Sequence, residues 1–108
     1  MKLSKEKILN TLKRLKEDLN TNFRVNNIGL FGSYVQNEQK STSDIDFLVE
    51  FEEDADLFHL VGLSRYLEEV FKSKVDVISK PAIKEELKQG ILEEVIYEWK
   101  ITYTSQGH

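Results

Sequence analysis

This 108-residue chain reads as one α/β or α+β domain, a single sheet with helices packed on it. Apolar residues recur at helical spacing in two long stretches. Short runs rich in β-branched and aromatic residues stand between them, bounded by turn-forming residues. Helices and strands alternate in the order α-β-(short α)-β-α-β-α. The length suits a single domain over residues 1–108, and 40% hydrophobic residues suffice for a core.

Taken in order, Ser4 to Leu19 reads as a helix. Ile8, Leu12, Leu15 and Leu19 line one face at spacings of four, three and four, with Ser4 as N-cap. Lys5, Lys7, Lys13 and Lys16 fall largely off that face. Polar punctuation from Thr21 to Asn27 gives way to a strand within Arg24–Phe31. Gly32-Ser33 ends it, a short helix or turn covers about Tyr34–Glu38, and Gln39–Ser43 is loop-like. Asp44–Phe51 reads as the second strand. Glu52–Asp56 is an acidic connector, and Asp56 suits the cap of a helix from Leu57 to Phe71. The stripe there is Leu57, Leu60, Leu63, Leu67 and Val70. Lys74–Ile78 is the third strand. Pro81 opens a last helical region, Ala82 to about Tyr97, interrupted near Gly90, and Thr102–His108 is expected to be a frayed tail.

Composition removes several classes of function. There is no cysteine and only two histidines, His59 and His108, so disulfides, thiolate metal sites and a histidine-rich zinc site are excluded. No apolar run approaches the roughly 20 residues that span a bilayer, and the chain opens into charged residues. The expectation is a soluble, intracellular, cytoplasmic protein. The net charge of −4 is uneven: residues 1–40 carry eight Lys/Arg against four Asp/Glu, and residues 41–108 carry seven against fifteen. An acidic chain is a poor general binder of nucleic acid, which draws on many phosphate contacts. The basic third can meet an anionic ligand, or simply form a solvated helix face.

Three aspartates stand where strands seldom place them. Asp44 and Asp46 begin an otherwise apolar strand, and Asp76 lies between Val75 and Val77. Alternation puts Asp44 and Asp46 on one face, about 7 Å apart, with Ile45, Phe47 and Val49 on the other. If the third strand pairs beside the second, Asp76 joins them. Such crowding is unfavourable when empty, and a divalent cation relieves it. Oxygen-only ligands point to a hard ion, Mg²⁺ or Mn²⁺. Read structurally instead, the same residues are strand-end turn formers or lysine partners.

Gly29-Leu30-Phe31-Gly32-Ser33-Tyr34 runs from a strand into a helix start. Glycine lets backbone N–H groups approach an anion closely, and the Ser33 hydroxyl adds a donor, which is what a triphosphate needs. Alone the pair is an ordinary turn. Beside an acidic strand eleven residues later it puts phosphate and metal chemistry together, the arrangement for phosphoryl or nucleotidyl transfer.

Gly32-Ser33, Ser43-Asp44-Ile45-Asp46-Phe47-Leu48-Val49 and Val75-Asp76-Val77-Ile78 resemble the minimal nucleotidyltransferases of the DNA polymerase β superfamily, over about residues 25–97. The resemblance implies a small mixed β-sheet with helices packed on it, the nucleotidyltransferase fold. It implies that Gly32 and Ser33 hold the nucleotide β/γ-phosphates and that Asp44 and Asp46 bind two Mg²⁺ ions. Asp76 would complete the second metal site and act as base. It also implies ATP as substrate, with AMP transferred and pyrophosphate released. Proteins of this type resemble the antitoxin of a toxin–antitoxin pair. Their partner is a HEPN-class RNase toxin, one tyrosine of which is adenylylated, in a hetero-oligomer. The chain's length leaves no room for an acceptor-binding domain, so another molecule is expected to bring the acceptor.

One departure stands out. Many relatives carry Arg-Gly shortly after the Gly-Ser; here those places hold Gln36 and Asn37. The missing guanidinium bears on triphosphate binding and catalytic rate, and Lys40 is near enough in sequence to compensate. The alternative reading is therefore a binding module that neutralises the toxin by complex formation alone. A small-molecule acceptor is a third. Among the remaining residues, His59 reads as a partly exposed helix residue, Tyr34 as stacking on a base or packing, and Tyr97, Trp99 and Tyr103 as core or partner contacts. Residues 50–56 read as a solvated acidic loop or a partner's basic-patch contact.

Overall fold

The helix expected over Ser4–Leu19 is two helices. In the computed structural model, which describes residues 3–40 and 43–100, α1 spans Lys5–Arg14 and α2 spans Lys16–Phe23. The chain turns at Leu15, whose backbone (φ −91°, ψ 1°) leaves the helical well and whose N–H is shared between the carbonyls of Thr11 and Leu12 at 3.1 Å each. The spacing still serves, because Ile8, Leu12 and Leu19 are buried and Leu15 packs beside them. Ser4 caps α1 as expected, its Oγ accepting from the Lys7 N–H at 3.2 Å.

The order then runs β1 (Val25–Phe31), α3 (Ser33–Gln36), β2 (Ile45–Phe51), α4 (Leu57–Phe71), β3 (Val75–Ser79), a 3₁₀ turn (Lys80–Ala82), α5 (Glu85–Glu94) and β4 (Ile96–Lys100). The sheet order is β3-β2-β1-β4, with β2 and β3 parallel and both pairings of β1 antiparallel. It is the small mixed sheet that the resemblance implied. Helix α4 is the crossover that a parallel pair needs. Asp56 caps it, accepting from the His59 N–H at 3.2 Å, while His59 Nδ1 accepts from the Asp56 N–H at 3.1 Å.

The C-terminal reading needs correcting. The stretch expected as one helical region from Ala82 to Tyr97 is a turn, a helix and a strand, and Gly90 lies inside α5 without interrupting it. Val95, Ile96, Tyr97 and Trp99 are β-branched or aromatic, but their strand becomes visible only when the free edge of β1 is there to pair with. In α4, Leu57 is 70% exposed and so leaves the core stripe, whereas Leu63, Leu67 and Phe71 are buried. The expected tail at 102–108, with Tyr103 and His108, lies outside the described residues, as do positions 41–42 of the loop.

One face of the sheet is covered. Ile28 and Leu30 of β1 and Ile45, Phe47 and Val49 of β2 pack on Ile8, Leu12 and Leu19 and on Leu63, Leu67 and Phe71 of α4. The pleat turns Asp46, Leu48 and Glu50 to the opposite face.

Candidate active site

The site forms where β1 ends. Phe31 is paired with Asp46 across the antiparallel ladder, so the turn after β1 lies directly over the start of β2. Gly32 makes that turn with φ +81°, a conformation L side chains rarely adopt. A Cβ there would also stand 3.0 Å from Asp46 Cγ and collide with Oδ2. Glycine is thus required both by the backbone angle and by the space the carboxylate takes. The Gly32 carbonyl accepts from the Val35 and Gln36 N–H groups at 3.0 and 3.1 Å, which closes α3.

In the parallel ladder Asp46 is paired with Asp76, so the two carboxylates project from the same face on adjacent strands. Asp44 lies just before β2 and is exposed, as is Asp76; Asp46 is partly buried. Burial, followed by the negative charges of Asp76, Asp44 and Glu94, pushes the Asp46 carboxyl from 3.8 up to about 6. The structure therefore sets Asp46 against Gly32 and in register with Asp76, with Asp44 near enough for its charge to act on Asp46 and Ser33 opening α3.

Glu94, the last residue of α5, is a member of this site that sequence reasoning missed. Its Oε2 accepts from the Gly32 N–H at 2.8 Å, and its Oε1 accepts from Gln36 Nε2 at 2.6 Å. Glu93-Glu94 at the end of an amphipathic helix carries no local signal. Only the return of the chain into β4, paired with β1, brings it here. Gln36, where the resemblance led us to expect arginine, is its second anchor.

Other candidates go elsewhere. Tyr34 is buried in the core and packs there. His59 serves the α4 cap. Tyr97 lies against Gly29, where an added Cβ would meet its Cδ1 at 3.0 Å. Lys40 is exposed, and its N–H donates to Ser43 Oγ at 2.8 Å. The acidic loop is only partly free. Glu50 accepts from Asn27 Nδ2 at 2.8 Å and faces Lys80 at 3.5 Å, Glu52 accepts from Asn20 Nδ2 at 3.2 Å, and Asp54 faces Arg24 at 3.6 Å.

Among the described residues no group of three or more acidic or histidine side chains is placed to hold a metal ion. A hard cation asks for less. Mg²⁺ commonly takes one or two carboxylates and fills its remaining positions with water and substrate phosphates. Two in-register aspartates, one with its proton affinity raised by burial and then by the other's charge, fit that oxygen-only donor set. No helix among the described residues is long and apolar enough to cross a membrane.

Comparison with known proteins agrees with this geometry. The protein adenylyltransferase MntA of Thermococcus cleftensis is 40% identical over 95 residues, 88% of this chain and 96% of that protein. A Methanocaldococcus jannaschii relative, provisionally named a protein adenylyltransferase, is 46% identical over 72 residues, 67% of this chain and 84% of its own length. A crystal structure of a toxin–antitoxin with AMP-PNP superposes with a TM-score of 0.70 at 26% identity, covering 92% of this chain and 77% of that one. The nucleotidyltransferase domain family matches residues 12–98, and with the mixed sheet and the glycine turn set against paired strand aspartates, this chain belongs to that family.

Proposed function

We propose that the protein is a Mg²⁺-dependent adenylyltransferase that moves AMP from ATP onto a hydroxyl, a tyrosine, of a partner HEPN-type toxin, and so acts as its antitoxin. The observation that carries this reading is the contact of Gly32 with Asp46, with Asp76 in register beside it. A backbone donor for phosphate and a carboxylate pair for a hard cation meet at one residue. The identity to an MntA adenylyltransferase and the likeness to a toxin–antitoxin with AMP-PNP support the donor and the partner.

In this reading the Gly32 N–H and Ser33 hold the β/γ-phosphates, and Asp44, Asp46 and Asp76 hold the cations. Bound Mg²⁺ supplies charge neutralisation at the phosphates. The acceptor oxygen bonds to the α-phosphorus, its proton passes to Asp76, and the bond to the β-phosphate oxygen breaks to release pyrophosphate. The chain's own part is to position these groups and exclude wrong geometries. ATP as donor and the absence of cysteine fit a cytoplasmic protein. Leu57 and Phe58, 70% and 85% exposed beside the acidic loop, are apolar surface of the kind a protein partner covers.

The test is incubation with labelled ATP, Mg²⁺ and the product of the neighbouring gene. Label should appear on that product. The Asp44→Asn, Asp46→Asn double variant should lower labelling by roughly 100-fold or more; full labelling would remove the mechanism.

A second reading, a module that neutralises its partner by binding alone, has one observation in its favour. Gln36 stands where the resemblance led us to expect arginine, and it is engaged with Glu94. Calorimetry with millimolar Mg-ATP separates the two readings, since the module binds none.

A further inference from the structure

We infer that Glu94 competes with the nucleotide's phosphates for the Gly32 amide, and so selects polyphosphate that arrives with its cation over the free anion. This rests on the nucleotide-transfer reading above. The Gly32 N–H has one hydrogen, and it is committed to Glu94 Oε2 at 2.8 Å. A phosphate oxygen cannot take that hydrogen bond until the carboxylate leaves. The second carboxylate oxygen is held by Gln36 Nε2 at 2.6 Å, so the side chain is tethered at both ends. Charge-assisted bonds of this kind are the stronger hydrogen bonds of proteins.

Position and charge make the contact a selective one. Glu94 is partly exposed and sits at the junction where α5 hands over to β4, with Val95 already in an extended conformation (φ −66°, ψ 138°). Rotation about its own side-chain bonds clears the amide without moving either element. The same carboxylate adds a fourth negative charge to Asp44, Asp46 and Asp76. A free polyphosphate meets four like charges and an occupied donor. A polyphosphate carrying a divalent cation offsets the charges and leaves the carboxylate as the only competitor.

The probes are AMP-PNP with Mg²⁺, AMP-PNP in EDTA and inorganic triphosphate, titrated by calorimetry into the wild type, Glu94→Ala and Gln36→Ala. The Gly32 amide resonance is followed in parallel. Glu94→Ala should bind AMP-PNP in EDTA roughly tenfold or more tighter than wild type, with a smaller gain when Mg²⁺ is present. Gln36→Ala, an exposed change that keeps the fold, should shift affinity the same way by a smaller factor. The Gly32 resonance in ligand-free Glu94→Ala should move away from its wild-type position, and all forms should converge when nucleotide is bound. Unchanged or weaker binding in both variants, with wild type binding Mg-AMP-PNP, overturns the inference alone; weaker binding would make Glu94 a nucleotide or cation contact. Failure of every form to bind any probe overturns the transfer reading and this inference with it.

Discussion

Asp46 bears the electrostatic strain of the site. Its carboxyl titrates at about 6 in the folded chain against an ordinary 3.8, so between those values the folded state holds a proton that the unfolded state has released. Stability contributed by this group therefore falls as pH rises through about 4 to 6 and levels off above. Partial exposure screens the effect, leaving on the order of 1–2 kcal/mol. Without metal, Asp46→Asn should gain on wild type by about that amount as pH rises from about 3.5 to 7, measured as the change in the difference of their urea unfolding free energies. Asp76→Asn should show a smaller gain, since it removes one of the charges acting on Asp46. Marked destabilisation by Asp76→Asn would mean that Asp76 has a structural partner. The three aspartates were legible in the chain because an acidic residue in a strand is costly unless it serves a purpose. Glu94 was not, because a glutamate at a helix C-terminus opposes the helix dipole by only about 0.3–1 kcal/mol, too little to mark it out.

The elements were legible where periodicity is strong. Helix α4 begins and ends at the expected residues, and β1 to β3 fall within one residue of expectation at their ends. The break at Leu15 escaped because two helices that bury one stripe share the spacing of a single long one. Strand β4 escaped because a five-residue edge strand is chosen by its neighbour. That neighbour is β1, and the contact between them runs through Gly29. A Cβ on Gly29 would stand 2.6 Å from Val95 Cγ2 and 3.2 Å from the Ile96 carbonyl. The side chain can yield, but the backbone oxygen belongs to the paired strand. Gly29→Ala should therefore cost about 1–3 kcal/mol in urea unfolding and speed amide exchange in β4 ahead of β2. Unchanged exchange in β4 would mean that the strand is held by something other than its seat on β1.

The whole molecule puts three helices on one face of the sheet and sets Asp46, Asp76 and the glycine turn together on the other. A ligand that binds only this folded arrangement stabilises it by mass action. At 100 times its dissociation constant, Mg-AMP-PNP should raise the unfolding free energy by about 2.7 kcal/mol and Tm by on the order of 10 °C. The Asp44→Asn, Asp46→Asn variant should show no such shift; a full shift there would place the nucleotide away from the aspartates. The chain's pattern of apolar spacing, turn residues and misplaced aspartates was enough to read the fold class and the family, since each is written in a local stretch of residues. Folding alone settled that β4 closes the sheet, that the Gly32 turn lies against Asp46, and that Glu94 takes the Gly32 amide. Those contacts join residues as far as 62 positions apart, and short-range propensity carries no information about which distant side chain a returning strand will deliver.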